Sequence, residues 1–215
     1  MSHPEPHLAF ETPKDFWEDR YAQSTARQRG KAGRILQDKI HGLTPHRVLE
    51  LGCSNGDDSL WLAEQGWQVT AVDISEHAIQ TAQRLAQEAG LADRIQFSAR
   101  DLSVDFPAGQ FELVCAMFFQ SPYDDFPRIE ILKTAAARIV SGGHLLIVTH
   151  ATGLPWAKHG PKEHIFPKAE EDWRDLALPA SDWHLLELSR PSRIATGPEG
   201  QQAEVKDNLI WAQRL

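Results

Sequence analysis

The chain has 215 residues, 41% of them hydrophobic and 24% charged, with a formal net charge of −8, which suits one soluble domain with a large core. That charge argues against wrapping a nucleic-acid backbone, because each neutralised phosphate needs a Lys or Arg and no basic run is present. No stretch approaches the roughly 20 apolar residues of a membrane-spanning helix, MSHPEPHLAF lacks the order of a secretory signal, and Cys53 and Cys115 show no disulfide or metal spacing; the expectation is a cytoplasmic protein with a small-molecule partner.

In chain order, Pro13 and the spacing of Phe16, Trp17 and Tyr21 predict a helix over 13–30, and a second helix over 32–40 ends at Gly42. RVLEL, 47–51, reads as a central strand. The pattern then alternates: helix 57–65, strand 67–72, helix 76–89, strand 94–98, strand 111–117, helix 125–140, strand 142–150. Such alternation implies parallel strands joined by right-handed crossovers. Residues 151–168, rich in Pro, Gly and His, read as a long loop before a short helix over 171–176. Strands 183–190 and 205–214 flank a turn with Gly197, Pro198 and Gly200 and predict a closing antiparallel hairpin. The fold class is α/β, a mostly parallel seven-stranded sheet with helices on both faces.

In an open parallel sheet the ligand sits beyond the carboxyl ends of the strands, where strand order reverses. The loop there is Gly52-Cys53-Ser54-Asn55-Gly56. Its glycines let a ligand approach the backbone, and the amides opening the next helix offer donors to a carboxylate. Asp73 follows about 20 residues later, where a carboxylate accepts both hydroxyls of a ribose. Together they imply a nucleoside-containing cofactor. Read as G-x-G-x-x-G the loop fails, since Ser54 and Asp57 occupy the second and third glycine positions. Asp57 and Asp58 are placed as caps of the next helix and would repel a pyrophosphate. S-adenosylmethionine carries a sulfonium and an ammonium and no phosphate, so acidic neighbours such as Glu50 favour it. A nicotinamide-dependent oxidoreductase is the alternative among enzymes, and a non-catalytic S-adenosylmethionine-binding protein the alternative from another class.

RVLELGCSNGDDSLWLAEQGWQVTAVDIS resembles the first two motifs of class I S-adenosylmethionine-dependent methyltransferases, with their Rossmann-like fold. FWEDRY, SGGHLLIVTH and GPEGQQAEVKDNLIWAQR resemble, in order, segments of the small bacterial tellurite-resistance and thiopurine-type enzymes. The resemblance implies methyl transfer to an S, N or O nucleophile on a small molecule. It implies that Glu50, Gly52, Cys53 and Gly56 cradle the methionine part, and that Asp73, Ile74 and Ser75 meet the ribose and adenine. Asp101 and Leu102 would read the adenine edge, and Met117 and Phe118 would line the sulfonium side. Ser54 departs from the family, which has glycine there. The organisation implied is one methyltransferase domain over 1–215: a helical cap (1–42), a cofactor-binding core (46–150), an acceptor-side loop and helix (151–180) and the hairpin (183–215).

Trp17 and Tyr21 fall on the apolar stripe of the first helix, and the resemblance adds a lid role, where aromatic faces stabilise a sulfonium by roughly 0.5–2 kcal/mol. His150 ends the fifth strand, where it is either a general base facing the methyl group or a satisfied strand-end histidine. The 151–168 loop, with Trp156 and Phe166, is expected to cover the acceptor together with Phe119, Gln120 and Tyr123. His3, His7, His41 and His46 sit in polar flanks, and the spacing around His159 and His164 lacks a ligand frame, so no metal is expected.

Overall fold

The computed structural model describes residues 10–22, 29–123, 125–156, 166, 168–197 and 199–215. Helices α1 (Pro13–Ala22) and α2 (Arg34–Ile40) precede β1 (Arg47–Leu51), in which Val48, Leu49 and Leu51 are fully buried and Glu50 nearly so. A strand covered on both faces reads as a largely apolar run, as RVLEL does apart from Arg47 and Glu50. Then come α3 (Asp57–Glu64), β2 (Gln68–Asp73), α4 (Glu76–Glu88), β3 (Ile95–Ala99), β4 (Phe111–Met117), α5 (Arg128–Ala137) and β5 (Ile139–His150). The chain closes with α6 (Ala169–Leu176), β6 (Trp183–Ser189), β7 (Ser192–Thr196) and β8 (Gln202–Arg214).

The strands are ordered β3-β2-β1-β4-β5-β8-β6, with β7 also on β8. β1 to β5 pair in parallel, and β8 runs antiparallel to β5, β6 and β7. Order reverses between β1 and β4, whose carboxyl ends open the crevice where a ligand binds. On one face Val48, Leu113 and Cys115 pack under α2, α3 and α4; on the other Leu49, Leu51 and Val114 pack under α5 and α6. Each fully buried Leu or Ile contributes roughly 1.5–3 kcal/mol. α1 buries no residue, so it covers the sheet end without belonging to either core. No helix among the described residues is long and apolar enough to cross a membrane.

Several boundaries differ from the sequence reading. The first helix ends at Ala22 among the described residues; 23–28 lie outside them, and Arg29 and Gly30 are not helical. α5 is shorter than 125–140 because Pro127 stands at its start and Ile139 already pairs with Phe111. The closing hairpin is present and longer, since β6 and β7 both pair with β8. Pro191, which has no N–H for the ladder, separates them and raises the strand number from seven to eight.

Candidate functional site

The loop after β1 is folded onto β2 by two amides, Gly52 and Cys53, that both donate to Val72 O, at 2.8 and 3.0 Å. Asp73 then locks the crevice from both sides. Its Oδ2 accepts the Ser54 N–H at 2.8 Å and its Oδ1 the Ser75 N–H at 3.0 Å, with the residue 6% exposed. Each carboxylate oxygen has a second lone pair, so two hydroxyls of a ribose can still be received. Burial pushes the Asp73 carboxyl up, and the amides of Ser75, Ser54 and Ile74 oppose that shift without cancelling it. Ser54 has φ +53°, in the left-handed region that glycine enters without penalty, which gives a physical reason for the family's glycine. Gly52, at φ +68°, carries the Phe119 ring directly against it: a Cβ there would lie 2.8 Å from Phe119 Cδ2.

Asp57 and Asp58 do not cap α3. Gly56 is the N-cap, without a side-chain bond, and the carboxylates reach across to the chain before α2. Asp57 accepts the Gly30 N–H at 2.7 Å and Asp58 the Gly33 N–H at 2.6 Å. Their negative charge nevertheless stays beside the loop. Burial pushes Asp58 up to about 6, and burial with the neighbouring Asp58 pushes Glu50 well above the usual carboxylate range. Glu50 accepts from Ser59 Oγ, is 2% exposed and is not among the cleft-lining residues, so it does not touch a ligand in the cleft.

A cleft of about 600 Å³, mouth included, brings Trp17, Tyr21, Gly52, Asp73 and Ile74 together with Asp101, Leu102 and Phe118. Phe119 and Gln120 line the same cleft. Asp101 Oδ1 is committed to the amide and hydroxyl of Ser103, at 2.9 and 2.6 Å. Trp17 and Tyr21 stack with centroids 5.8 Å apart, and burial, then Asp73, pushes the Tyr21 hydroxyl up, keeping it protonated. Outside the lining lie buried Cys53 and also Gly56, whose added Cβ would meet Ala82, Leu60 and Phe97. Ser75 also lies outside: its hydroxyl caps α4 at Ala78 N and donates to Glu18.

Glu18 fastens α1 over this cleft. Its carboxylate accepts from Ser75 Oγ at 2.8 Å and from the amides of Glu76 and His77 at 2.7 and 3.2 Å, and lies 2.7 Å from His77 Nδ1. The Tyr123 ring packs edge-on against Phe16, and its hydroxyl lies 3.2 Å from Thr12 O. Tyr123 therefore holds the cap and is not among the cleft-lining residues.

His150 stacks on Phe118, centroids 4.4 Å apart, and its Nδ1 lies 3.6 Å from Asp207 Oδ1, an ion-pair distance rather than a hydrogen bond. Its amide donates to Gln120 Oε1 at 3.1 Å. Arg193 Nε donates to Asp207 Oδ2 at 2.6 Å, and its guanidinium sits 5.5 Å from the Phe118 ring centre. Burial pushes the Asp207 carboxyl up, but His150 and Arg193 beside it outweigh burial and hold it below the usual range. Phe118 has φ +57°, an unusual conformation for a bulky residue and one that clusters at functional sites. Met117 lies not in the cleft but in the groove on the other side of Phe118.

Trp156 lies against Gly197 in the β7–β8 turn and Phe166 against Gly153, and neither is among the cleft-lining residues, which include Phe119 and Gln120. The remaining loop residues 157–165 and 167, with His159 and His164, lie outside the described residues, as do His3 and His7; His41 and His46 are exposed. Sequence reasoning missed Glu18, Arg100, Phe126, Arg193 and Asp207. Asp207, a lone acid entering the apolar run NLIWA, was the one readable signal.

Residues 48–143 match the methyltransferase-domain family. A ubiquinone biosynthesis O-methyltransferase from Pseudomonas aeruginosa is 25% identical over 171 residues, covering 79% of this chain and 69% of that protein. A ribosomal RNA small subunit methyltransferase C from Chromohalobacter salexigens is 33% identical over 58% of this chain and 37% of its own length. Among solved structures, TehB from Haemophilus influenzae aligns with a TM-score of 0.68 at 20% identity, over 95% of this chain and 68% of that one. Magnesium protoporphyrin IX methyltransferase from Synechocystis, with bound S-adenosylmethionine, aligns at 0.67 and 16% identity over 96% and 99%. Residues 48–143 thus form a methyltransferase domain, and the fold around them is that of the S-adenosylmethionine-dependent methyltransferases it resembles. For this methyltransferase the nicotinamide and non-catalytic readings are set aside, and S-adenosylmethionine is the cofactor.

Proposed function

We propose that this methyltransferase acts on a small molecule with an oxygen, nitrogen or sulfur nucleophile, and that His150 takes the acceptor's proton where the nucleophile carries one. S-adenosylmethionine supplies a methyl group on positively charged sulfur, so the leaving group is activated before any residue acts. The chain's task is then placement: a well-oriented pair is worth roughly 7–11 kcal/mol, against about 3–5 kcal/mol for a general base. Asp73 holds the ribose hydroxyls, and Ile74, Asp101 and Leu102 form the adenine side. Gly52, which lines the cleft, lies beside the methionine part. Trp17 and Tyr21 close the cleft and exclude water.

The observation that carries the reading is His150 stacked at 4.4 Å on Phe118, which itself lines the cofactor cleft. An imidazole at that place is a side chain able to take a proton from the acceptor. Cys53 and Cys115 are buried free thiols, as suits a reducing compartment, so a cytoplasmic site of action belongs to the reading.

The test is transfer of a tritiated methyl group from S-adenosylmethionine to a panel of phenols, amines, thiols and short RNAs. Label on a small molecule, with His150→Gln slowing phenol turnover about 100-fold and thiol turnover little, is the expected result. Label on RNA alone, as the ribosomal RNA relative would suggest, overturns it.

A further inference from the structure

The side chain of Gln120 is oriented by the backbone of β5. A backbone N–H can only donate, so the atom that meets the His150 amide at 3.1 Å is Gln120 Oε1, and the Nε2 amino group is thereby turned the other way. Gln120 is half-buried and lines the cofactor cleft, and among the described residues its Nε2 has no hydrogen-bond partner. Ser121 lines the same cleft. Its Oγ accepts the Tyr123 N–H at 3.2 Å, which leaves the hydroxyl hydrogen to be donated elsewhere. Two adjacent side chains therefore hold unspent donors, with the rings of Phe118 and Phe119 beside them in the lining.

Strand order places these donors. Asp101, Asp73, Gly52 and Phe118 stand at or just past the carboxyl ends of β3, β2, β1 and β4, and Gln120 is tied to the last residue of β5. The adenosine side at Asp73 and Asp101 and the donors at Gln120 thus lie at opposite ends of one continuous cleft. The methionine part falls between them, beside Gly52.

We propose that Gln120 is a specificity-determining residue for the methyl acceptor: its Nε2, with the Ser121 hydroxyl, donates to a carbonyl oxygen, so the acceptor is a neutral, flat molecule that carries a carbonyl group. This rests on the methyl-transfer reading above. Donors without an acceptor beside them select an oxygen lone pair and reject an ammonium or another N–H. The charged side chains that line the cleft, Asp73, Arg100 and Asp101, are all at the β2–β3 end, and Arg100 is bonded to Asp105 at 2.9 Å and to Ser98 at 3.2 Å. A carboxylate at the Gln120 end would leave water with no cation to meet it, a greater cost than that of a neutral carbonyl. A molecule of the same shape without the oxygen leaves the two donors unmet once water is excluded, and a site built on hydrogen bonds discriminates by that loss. The flat walls of Phe118 and Phe119 suit a planar group.

The test uses isotope-labelled protein loaded with S-adenosylhomocysteine and follows the Gln120 side-chain NH2 signal, assigned by its loss in Gln120→Glu. That variant keeps an oxygen for the His150 N–H and replaces only the donor. The probes are 4-aminoacetophenone and 4-ethylaniline, rings of similar shape, both uncharged near neutral pH, that differ in the carbonyl oxygen. The expected result is that 4-aminoacetophenone moves the Gln120 signal and binds about three- to tenfold more tightly than 4-ethylaniline, the worth of one net hydrogen bond. In Gln120→Glu that preference disappears while S-adenosylhomocysteine still binds. Equal binding of the two probes, a preference that survives in Gln120→Glu, a Gln120 signal moved by S-adenosylhomocysteine alone, or no binding of either probe overturns the assignment and leaves methyl transfer standing. Failure of S-adenosylhomocysteine to bind the unsubstituted protein overturns both.

Discussion

The cap over the cofactor cleft hangs on one carboxylate, and its removal has a calculable effect. Four hydrogen-bonding groups of Ser75, Glu76 and His77 surround Glu18. Burial opposes its charge, but these bonds hold its pKa at about 2 against an ordinary 4.5. That shift corresponds to about 3 kcal/mol. The side chain keeps 20% of its surface in water, so about 2 kcal/mol is the working figure after screening. Glu18→Gln should release that much docking energy. Since α1 buries no residue, the loss should appear at the cleft and not as global unfolding. A 2 kcal/mol loss is a factor of about 30 if all of it couples to the cofactor, so a 3- to 30-fold rise in S-adenosylhomocysteine dissociation rate is expected. Trp17 fluorescence in a stopped-flow displacement reads it. The folded pKa is depressed, so the latch is at full strength above about pH 4.5 and weakens as pH falls toward 2. A dissociation rate within twofold of wild type, with unchanged hydrogen exchange in α1, would refute the latch.

Ser54→Gly should stabilise by about 0.5–1 kcal/mol, because relief of the left-handed conformation exceeds glycine's added unfolded-state freedom; calorimetry should find Tm raised by about 2 °C. Gly56→Ala combines φ +81° with a 2.9 Å approach to Ala82 Cβ, and urea titration should show a loss of about 3 kcal/mol. Asp207→Asn strips Arg193 and His150 of their carboxylate. Because Arg193 is partly exposed, the cost at pH 7 is about 2 kcal/mol, below that of a fully buried pair. The Asp207 carboxyl is held below its ordinary 3.8, so its contribution is present above that pH and is lost below it; the gap between the urea midpoints of variant and wild type should shrink at pH 3.

The core was readable because burial on both faces forces largely apolar runs, as in RVLEL and FELVCAM, and because glycine and the Asp73 strand end mark the crevice locally. What could not be read depends on register and on contacts distant in sequence. Asp57 and Asp58 satisfy the local rule for caps, yet the amides of Gly30 and Gly33, folded back by tertiary packing, take their oxygens. Gly56 looked like a ligand glycine and is one that α4 crowds. Arg193 and Asp207 meet only because β7 pairs with β8, and no local period announces that pairing. Tyr123 and Trp156 were grouped by proximity along the chain to strand ends; their partners, Thr12 O and Gly197, lie more than a hundred and about forty residues away respectively.

The most direct test of the cofactor site is calorimetric titration of S-adenosylmethionine, S-adenosylhomocysteine and NAD into wild-type protein and Asp73→Ala. Two charged hydrogen bonds to ribose, at about 1.5–3 kcal/mol each, predict binding of both sulfur compounds weakened at least 100-fold by the substitution, and no binding of NAD. Equal affinity in Asp73→Ala, or binding of NAD in place of S-adenosylmethionine, would contradict the assignment.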